Sequence, residues 1–239
     1  MLQDTIALLQ KQAEEQQRLL EDLQEQQRWL EQHDTLKTMV LCDTEFLDHG
    51  QRSMAHLFGQ TTDNQESVFR TAAELRMRGV IGKVGVSRGD TGHGYPGFDA
   101  WRRALCLYGF YDEEIVPIDV VGGLNTLTEA QALTRFLLAE RRDHICIIAA
   151  PFHQTRAFVT MVSVAAREYP GIKIYNKPGQ AEDWLHTTVQ HSQGTTIGTR
   201  AELIVAERKR IARYQKEGGL LLLPFDEVFQ YLVQRDANK

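Results

Sequence analysis

His153 and Arg156 stand three positions apart, just after Ile145-Cys146-Ile147-Ile148-Ala149-Ala150-Pro151, a run of β-branched and small apolar residues closed by a proline. The run reads as a buried strand, and the spacing puts both side chains at the start of a following helix, at the strand's carboxyl end. Arg offers a planar fork for a carboxylate or phosphate, and His titrates near neutral pH, so the pair suits proton transfer beside an anion. Ser87-Arg88-Gly89-Asp90 opens a turn with four glycines (89, 92, 94 and 97) that lets backbone approach a bound phosphate or carboxylate closely. Asn125-Thr126 follows Gly122-Gly123, Asn176-Lys177 follows another short apolar run, and Asp43 and Glu45 follow the apolar segment 36–42. The expected ligand is small and anionic, phosphorylated or nucleotide-like. Arg88 and Arg156 would anchor it, His153 with one of Asp43, Glu45 or Asp90 would handle protons, Asn125 and Thr126 would orient it, and Ser87, Gly89 and Lys177 would complete the pocket. The glycine turn does not match the P-loop. The spacing of Asp43, Asp90, His93 and His153 predicts no local metal site.

These residues need a scaffold that gathers strand ends, and the hydropathy pattern supplies one. Strands are expected over 36–42, 82–86, 115–121, 145–150 and 172–175. Helices are expected over 66–78, closed by Gly79, and over 98–108, 127–140, 158–168, 199–217 and 225–235, with a short helical segment at 54–58 inside the polar insertion 46–64. Thr126 with Glu129 three residues on has the form of a capping box. In the helix over 199–217, Leu203, Ala206, Ile211 and Tyr214 form the inward stripe and the charges a solvated face. Strands alternating with helices predict an α/β fold: a Rossmann-like parallel sheet of about five strands with helices on both faces. Ligands of such sheets bind outside the carboxyl ends of the strands, where the strand order reverses.

Residues 1–35 are expected to form a separate amphipathic helix ahead of the α/β domain, 36–239. Residues 2–33 contain no Gly or Pro, and Leu2, Ile6, Leu9, Ala13, Gln16, Leu20, Leu23, Gln27 and Leu30 follow the alternating four-three spacing of a coiled-coil seam. Homo-oligomerisation through residues 2–30 is the corresponding expectation. With 27 Lys and Arg against 32 Asp and Glu, the net charge of −5 argues against a nucleic-acid partner. Cys42, Cys106 and Cys146 fall in or beside apolar segments without zinc spacing, so they read as reduced core residues. No signal peptide or membrane span is legible, and a cytoplasmic location without a membrane partner is expected.

The segment Ala150-Pro151-Phe152-His153-Gln154-Thr155-Arg156-Ala157 resembles a strand end of the YdcF, SanA and ElyC group of bacterial proteins: a small residue, an aromatic, His, two variable positions, then Arg-Ala. Asn125-Thr126 followed by Glu129-Ala130 is similar to that group's Asn-Thr-x-x-Asn-Ala, and Ser87-Arg88-Gly89 stands where the group has Ser-Gly-Gly. The resemblance runs from about Leu36 to Glu217, closest to the soluble branch. Val120 occupies the place of an acidic residue five positions before the Asn-Thr pair, and Asp43-Thr44-Glu45 replaces glycines after the first strand. The resemblance implies a Rossmann-like domain, with S-adenosylmethionine or a nucleotide as the ligand of some members and envelope-related roles for others. Three readings follow: an enzyme acting on a small anionic substrate, a non-catalytic metabolite sensor or scaffold assembled through the N-terminal helix, and an S-adenosylmethionine-dependent transferase.

Overall fold

The computed structural model of the chain describes residues 2–43, 53–190, 196–217 and 222–237. It divides into two compact units, residues 1–38 and 39–239. The first unit consists of most of one helix, α1 (Leu2–Leu41). Its seam residues Ile6, Leu9, Leu20 and Leu23 are about half exposed. Among the described residues no helix is long and apolar enough to cross a membrane.

The second unit is a Rossmann-like α/β domain. Its elements are β1 (Met54–Leu57), α2 (Gln65–Met77), β2 (Lys83–Arg88), α3 (Phe98–Leu107), β3 (Ile115–Asp119), α4 (Thr126–Ala139), β4 (His144–Ile148), α5 (Gln154–Glu168), β5 (Lys173–Asn176), β6 (Thr187–Gln190), β7 (Thr196–Thr199), α6 (Arg200–Lys216) and α7 (Phe225–Ala237). The five-stranded sheet has the order β3-β2-β1-β4-β5, all parallel, and β6 and β7 form a separate antiparallel hairpin. Order reverses between β1 and β4, which places the switch-point crevice outside their carboxyl ends.

Four sequence expectations need correction. Residues 36–42 are not the first strand: α1 continues through Leu41, because residues 2–49 contain no Gly or Pro to stop it. The first strand is Met54–Leu57, expected as helix, and it is the central strand of the sheet with all four residues buried. A strand covered on both faces loses its alternation, and four apolar-rich residues cannot be told from a helical turn by period. The hairpin β6–β7 has no counterpart in the expected elements. Finally, Cys146 is buried but Cys42 and Cys106 are exposed, all three as free thiols.

The remaining elements follow local rules. Helix α2 ends where Gly79, at φ +73°, lets its N–H reach the Arg76 carbonyl and the Val80 N–H reach the Leu75 carbonyl, a Schellman pattern that needs a left-handed residue. Phe69 of α2 and Tyr95 of the glycine turn both set their rings edge-on to Trp101 of α3, with centroids 4.9 and 5.0 Å apart. The Tyr95 hydroxyl donates to the Ser87 carbonyl (2.7 Å), so this aromatic cluster also fixes the end of β2.

At the middle of β1, His56 is fully buried and neither ring nitrogen has a hydrogen-bond partner among the described residues. Its register partner on β2 is Gly85, where an added Cβ would meet Met54 Cε at 2.4 Å and His56 Nδ1 at 3.1 Å, so glycine makes room for the ring. Burial pushes the His56 pKa down to about 3.

Candidate functional site

The turn after β1, the end of β2 and the starts of α4 and α5 meet in one buried polar network. Glu129 of α4 is fully buried, and its Oε1 accepts from the Gly59 N–H (2.8 Å) and from the Ser87 hydroxyl (2.8 Å). Its Oε2 has no hydrogen-bond partner among the described residues. Burial pushes the Glu129 carboxyl up to about 7, against the opposing pull of the Gly59 N–H, the Ser87 hydroxyl and the Arg156 charge. A carboxyl balanced near neutral pH is suited to give or take a proton.

His153, at the N-terminus of α5, lies beside this group. The Gln60 amide donates from Nε2 to the Phe58 carbonyl (3.1 Å), and the same nitrogen lies 3.1 Å from His153 Nδ1. An amide nitrogen only donates, so Nδ1 of the neutral ring is the acceptor and Nε2–H is given to Thr126 Oγ1 at 3.2 Å. Arg156 Nη1 donates to the same hydroxyl oxygen (2.6 Å). With Thr126 accepting from both sides, this arrangement makes His153 a hydrogen-bond donor to the Thr126 hydroxyl.

Arg156 also grips Glu207 of α6 with both sides of its fork, through Nε and through Nη2 (3.2 Å). Arg210 Nη1 donates to the same carboxylate at 2.7 Å. The Arg156 and Glu207 side chains are 4% and 5% exposed, so this is a buried pair. One helical turn away Leu203 packs with Ala150 and Phe152 at the carboxyl end of β4. Arg200, at the start of α6, reaches the other side of the crevice. It bonds Asn64 Oδ1 (2.9 Å) and the Asp63 carbonyl, and pairs with Glu182 (2.9 Å). Asn64, Ser67, Phe152, Glu182, Trp184 and Arg200 line a shallow crevice at the switch point.

Of the residues singled out in the sequence, Ser87, Thr126, His153 and Arg156 are therefore brought together. Asn125 adjoins them but is spent as the N-cap of α4, its Oδ1 accepting from the Leu127 and Thr128 N–H groups, with Thr128 closing the capping box. This corrects the expected cap: Thr126 is the first helical residue, and Glu129 points into the network. Arg88 makes an exposed bidentate pair with Asp119 (2.6 and 2.9 Å), and Asp90 is exposed. Gly89 lies against Val120, where an added Cβ would come within 3.2 Å. Lys177 is half-buried after β5. Asp43 is held elsewhere, in a bidentate pair with Arg235 of α7. Glu45 lies outside the described residues.

Sequence reasoning missed Gln60, Glu129 and Glu207 as members of the site. Thr126, Glu129, Ala130, Leu133 and Leu137 are all buried and follow the spacing of one helix face, so a carboxylate in line with an apolar stripe was the available signal. The same holds on α6, where the buried residues are Arg200, Leu203, Glu207 and Ile211, not the expected Ala206 and Tyr214. Gln60 carried no such signal. The site fits an adenosyl cofactor poorly. The turn after β1 has one glycine, Gly59, whose N–H is given to Glu129, and β2 ends in Arg88, not in an acidic residue able to take a ribose hydroxyl. Compared with known proteins, the chain matches no family model and no curated protein.

Proposed function

We propose that the chain binds a small anionic ligand, phosphorylated or nucleotide-like, at the carboxyl edge of its parallel sheet, and transforms it with Glu129 as the proton-carrying group. The observation that carries this reading is the convergence of Ser87, Thr126, Glu129, His153 and Arg156 from separate strand ends and helix starts. Arg156 supplies the charge that recognises the anion, Thr126 and His153 position that guanidinium, and Ser87 with the Gly59 N–H orients the Glu129 carboxyl. The sequence resemblance to the YdcF, SanA and ElyC group, carried by the segments around Ser87, Asn125-Thr126 and His153-Arg156, supports the reading.

Isothermal titration of the full chain with sulfate and with phenyl phosphate tests it. Both probes are expected to bind, and the Thr126→Val variant, which keeps the branched shape and loses the hydroxyl that braces Arg156, binds them about tenfold more weakly. Sulfate keeps its charge across the range, so its binding should weaken as the pH rises through about 7, where Glu129 becomes charged. A folded wild-type chain that binds neither probe, or a Thr126→Val variant of unchanged affinity, would sink the reading.

A second reading, assembly through α1, is favoured by the half-exposed seam of Ile6, Leu9, Leu20 and Leu23. Sedimentation of the full chain is expected to give a mass above that of one chain, falling to one chain in a Leu20→Lys, Leu23→Lys double variant. Equal masses for the two proteins rule out this seam as the assembling surface.

A further inference from the structure

Resting on the anion-binding reading above, we propose that Glu207 is an internal stand-in for the ligand, and that a small carboxylate- or phosphate-bearing anion takes its place on Arg156 and thereby releases α6 from the site. The geometry is that of a bound anion: the Arg156 fork holds the Glu207 carboxylate through Nε and Nη2, and Arg210, three residues on along the same helix, donates to Oε1 from the α6 side. The fork that already holds one carboxylate in two parallel bonds is shaped to hold a phosphate or another carboxylate in the same way once α6 withdraws.

The way α6 is attached supports exchange. Its buried residues are Arg200, Leu203, Glu207 and Ile211, so half of the buried face of this helix is charged. Buried ion pairs roughly offset the cost of removing their charges from water, which makes such a contact much easier to separate than an apolar one of equal size. An incoming anion brings compensating charge to Arg156, and the withdrawn Glu207 regains its hydration.

Directly behind the Arg156 fork lie the Thr126 hydroxyl at 2.6 Å from Nη1 and, beyond it, His153. All three are at least 97% buried as the chain stands. Leu203 covers Ala150 and Phe152 next to them. Removing Glu207 and its helix is therefore the step that gives a ligand access to the network, and ligand binding and site opening become one event. The selected class is a compact anion able to form two parallel hydrogen bonds with a guanidinium.

Two measurements on the full chain test this. In titration calorimetry with sulfate, Glu207→Gln removes the competing charge and should bind about tenfold more tightly than the wild type. In hydrogen–deuterium exchange of the wild type, saturating sulfate should speed exchange across residues 200–216. Unchanged affinity in Glu207→Gln, or α6 exchange that sulfate does not speed, overturns the proposal while leaving anion binding intact. Absence of sulfate binding in both proteins overturns the anion-binding reading along with it. Should Glu207→Gln not fold, the wild-type exchange measurement decides alone.

Discussion

Replacing Asp43 with Ala is expected to cost the fold about 3–5 kcal/mol, because it leaves the Arg235 guanidinium buried without its main counter-charge. The Asp43 and Arg235 side chains are 5% and 2% exposed, and two hydrogen bonds of 2.8 Å join them. Asp43 Oδ2 also accepts from the Asn176 backbone N–H (3.0 Å) and side-chain amide (3.1 Å), so one carboxylate ties the segment after α1 to the end of β5 and to α7. Arg235 stacks over the Tyr175 ring at 4.8 Å, which keeps the guanidinium buried even when the aspartate is gone. Urea unfolding at neutral pH measures the loss, and an Asp43→Leu, Arg235→Met double variant should regain most of it, since no charge is then left unpaired. A loss below about 1 kcal/mol with abolished turnover would instead return Asp43 to the chemical role its sequence position suggests.

The second large effect is a pair of opposing pH dependences. The Glu129 carboxyl is raised from 4.5 to about 7, so the folded chain holds its proton more firmly than the unfolded chain does. Its stabilising contribution is full below pH 4.5 and is lost as the pH rises through 7, a change of about 3 kcal/mol. The His56 pKa is lowered from 6.5 to about 3, so its contribution is full above pH 6.5 and is lost as the pH falls toward 3. Each slope is about 1.4 kcal/mol per pH unit, with opposite sign, and between pH 4.5 and 6.5 they cancel. Stability measured by urea unfolding across this window should therefore carry little slope from the pair in the wild type. Glu129→Gln, neutral at every pH, should unmask stability that rises with pH, and His56→Leu should unmask stability that falls. A Glu129→Gln profile parallel to the wild type would mean that Glu129 does not carry a raised pKa.

Glu129 and His56 show what a sequence can and cannot announce. A glutamate at the third turn position of a helix beginning Asn-Thr reads equally well as a capping residue. The structure gives the cap to Asn125 and Thr128, which leaves Glu129 free to turn inward toward Ser87 on a different strand. His56 lies in a four-residue segment that was expected to be helical, so its burial could not be foreseen without the central strand it belongs to.

By itself the sequence determined the alternation of strands and helices, hence a parallel sheet. It also predicted that Asp43, Glu45, Ser87, Arg88, Asp90, Asn125, Thr126, His153, Arg156 and Lys177 would meet at one edge, because each reads as a strand end or helix start and parallel strands carry such ends to the same side. Of these the network holds Ser87, Thr126, His153 and Arg156. Two decisions belonged to the tertiary structure alone. Which segment fills the centre of the sheet depends on burial from both faces, which erases the period that local reading relies on. Which charge faces Arg156 depends on a partner 51 residues away on α6, and no local pattern encodes that pairing. Packing brings Glu207 to the fork, and with it the difference between an open anion seat and one that the chain already fills.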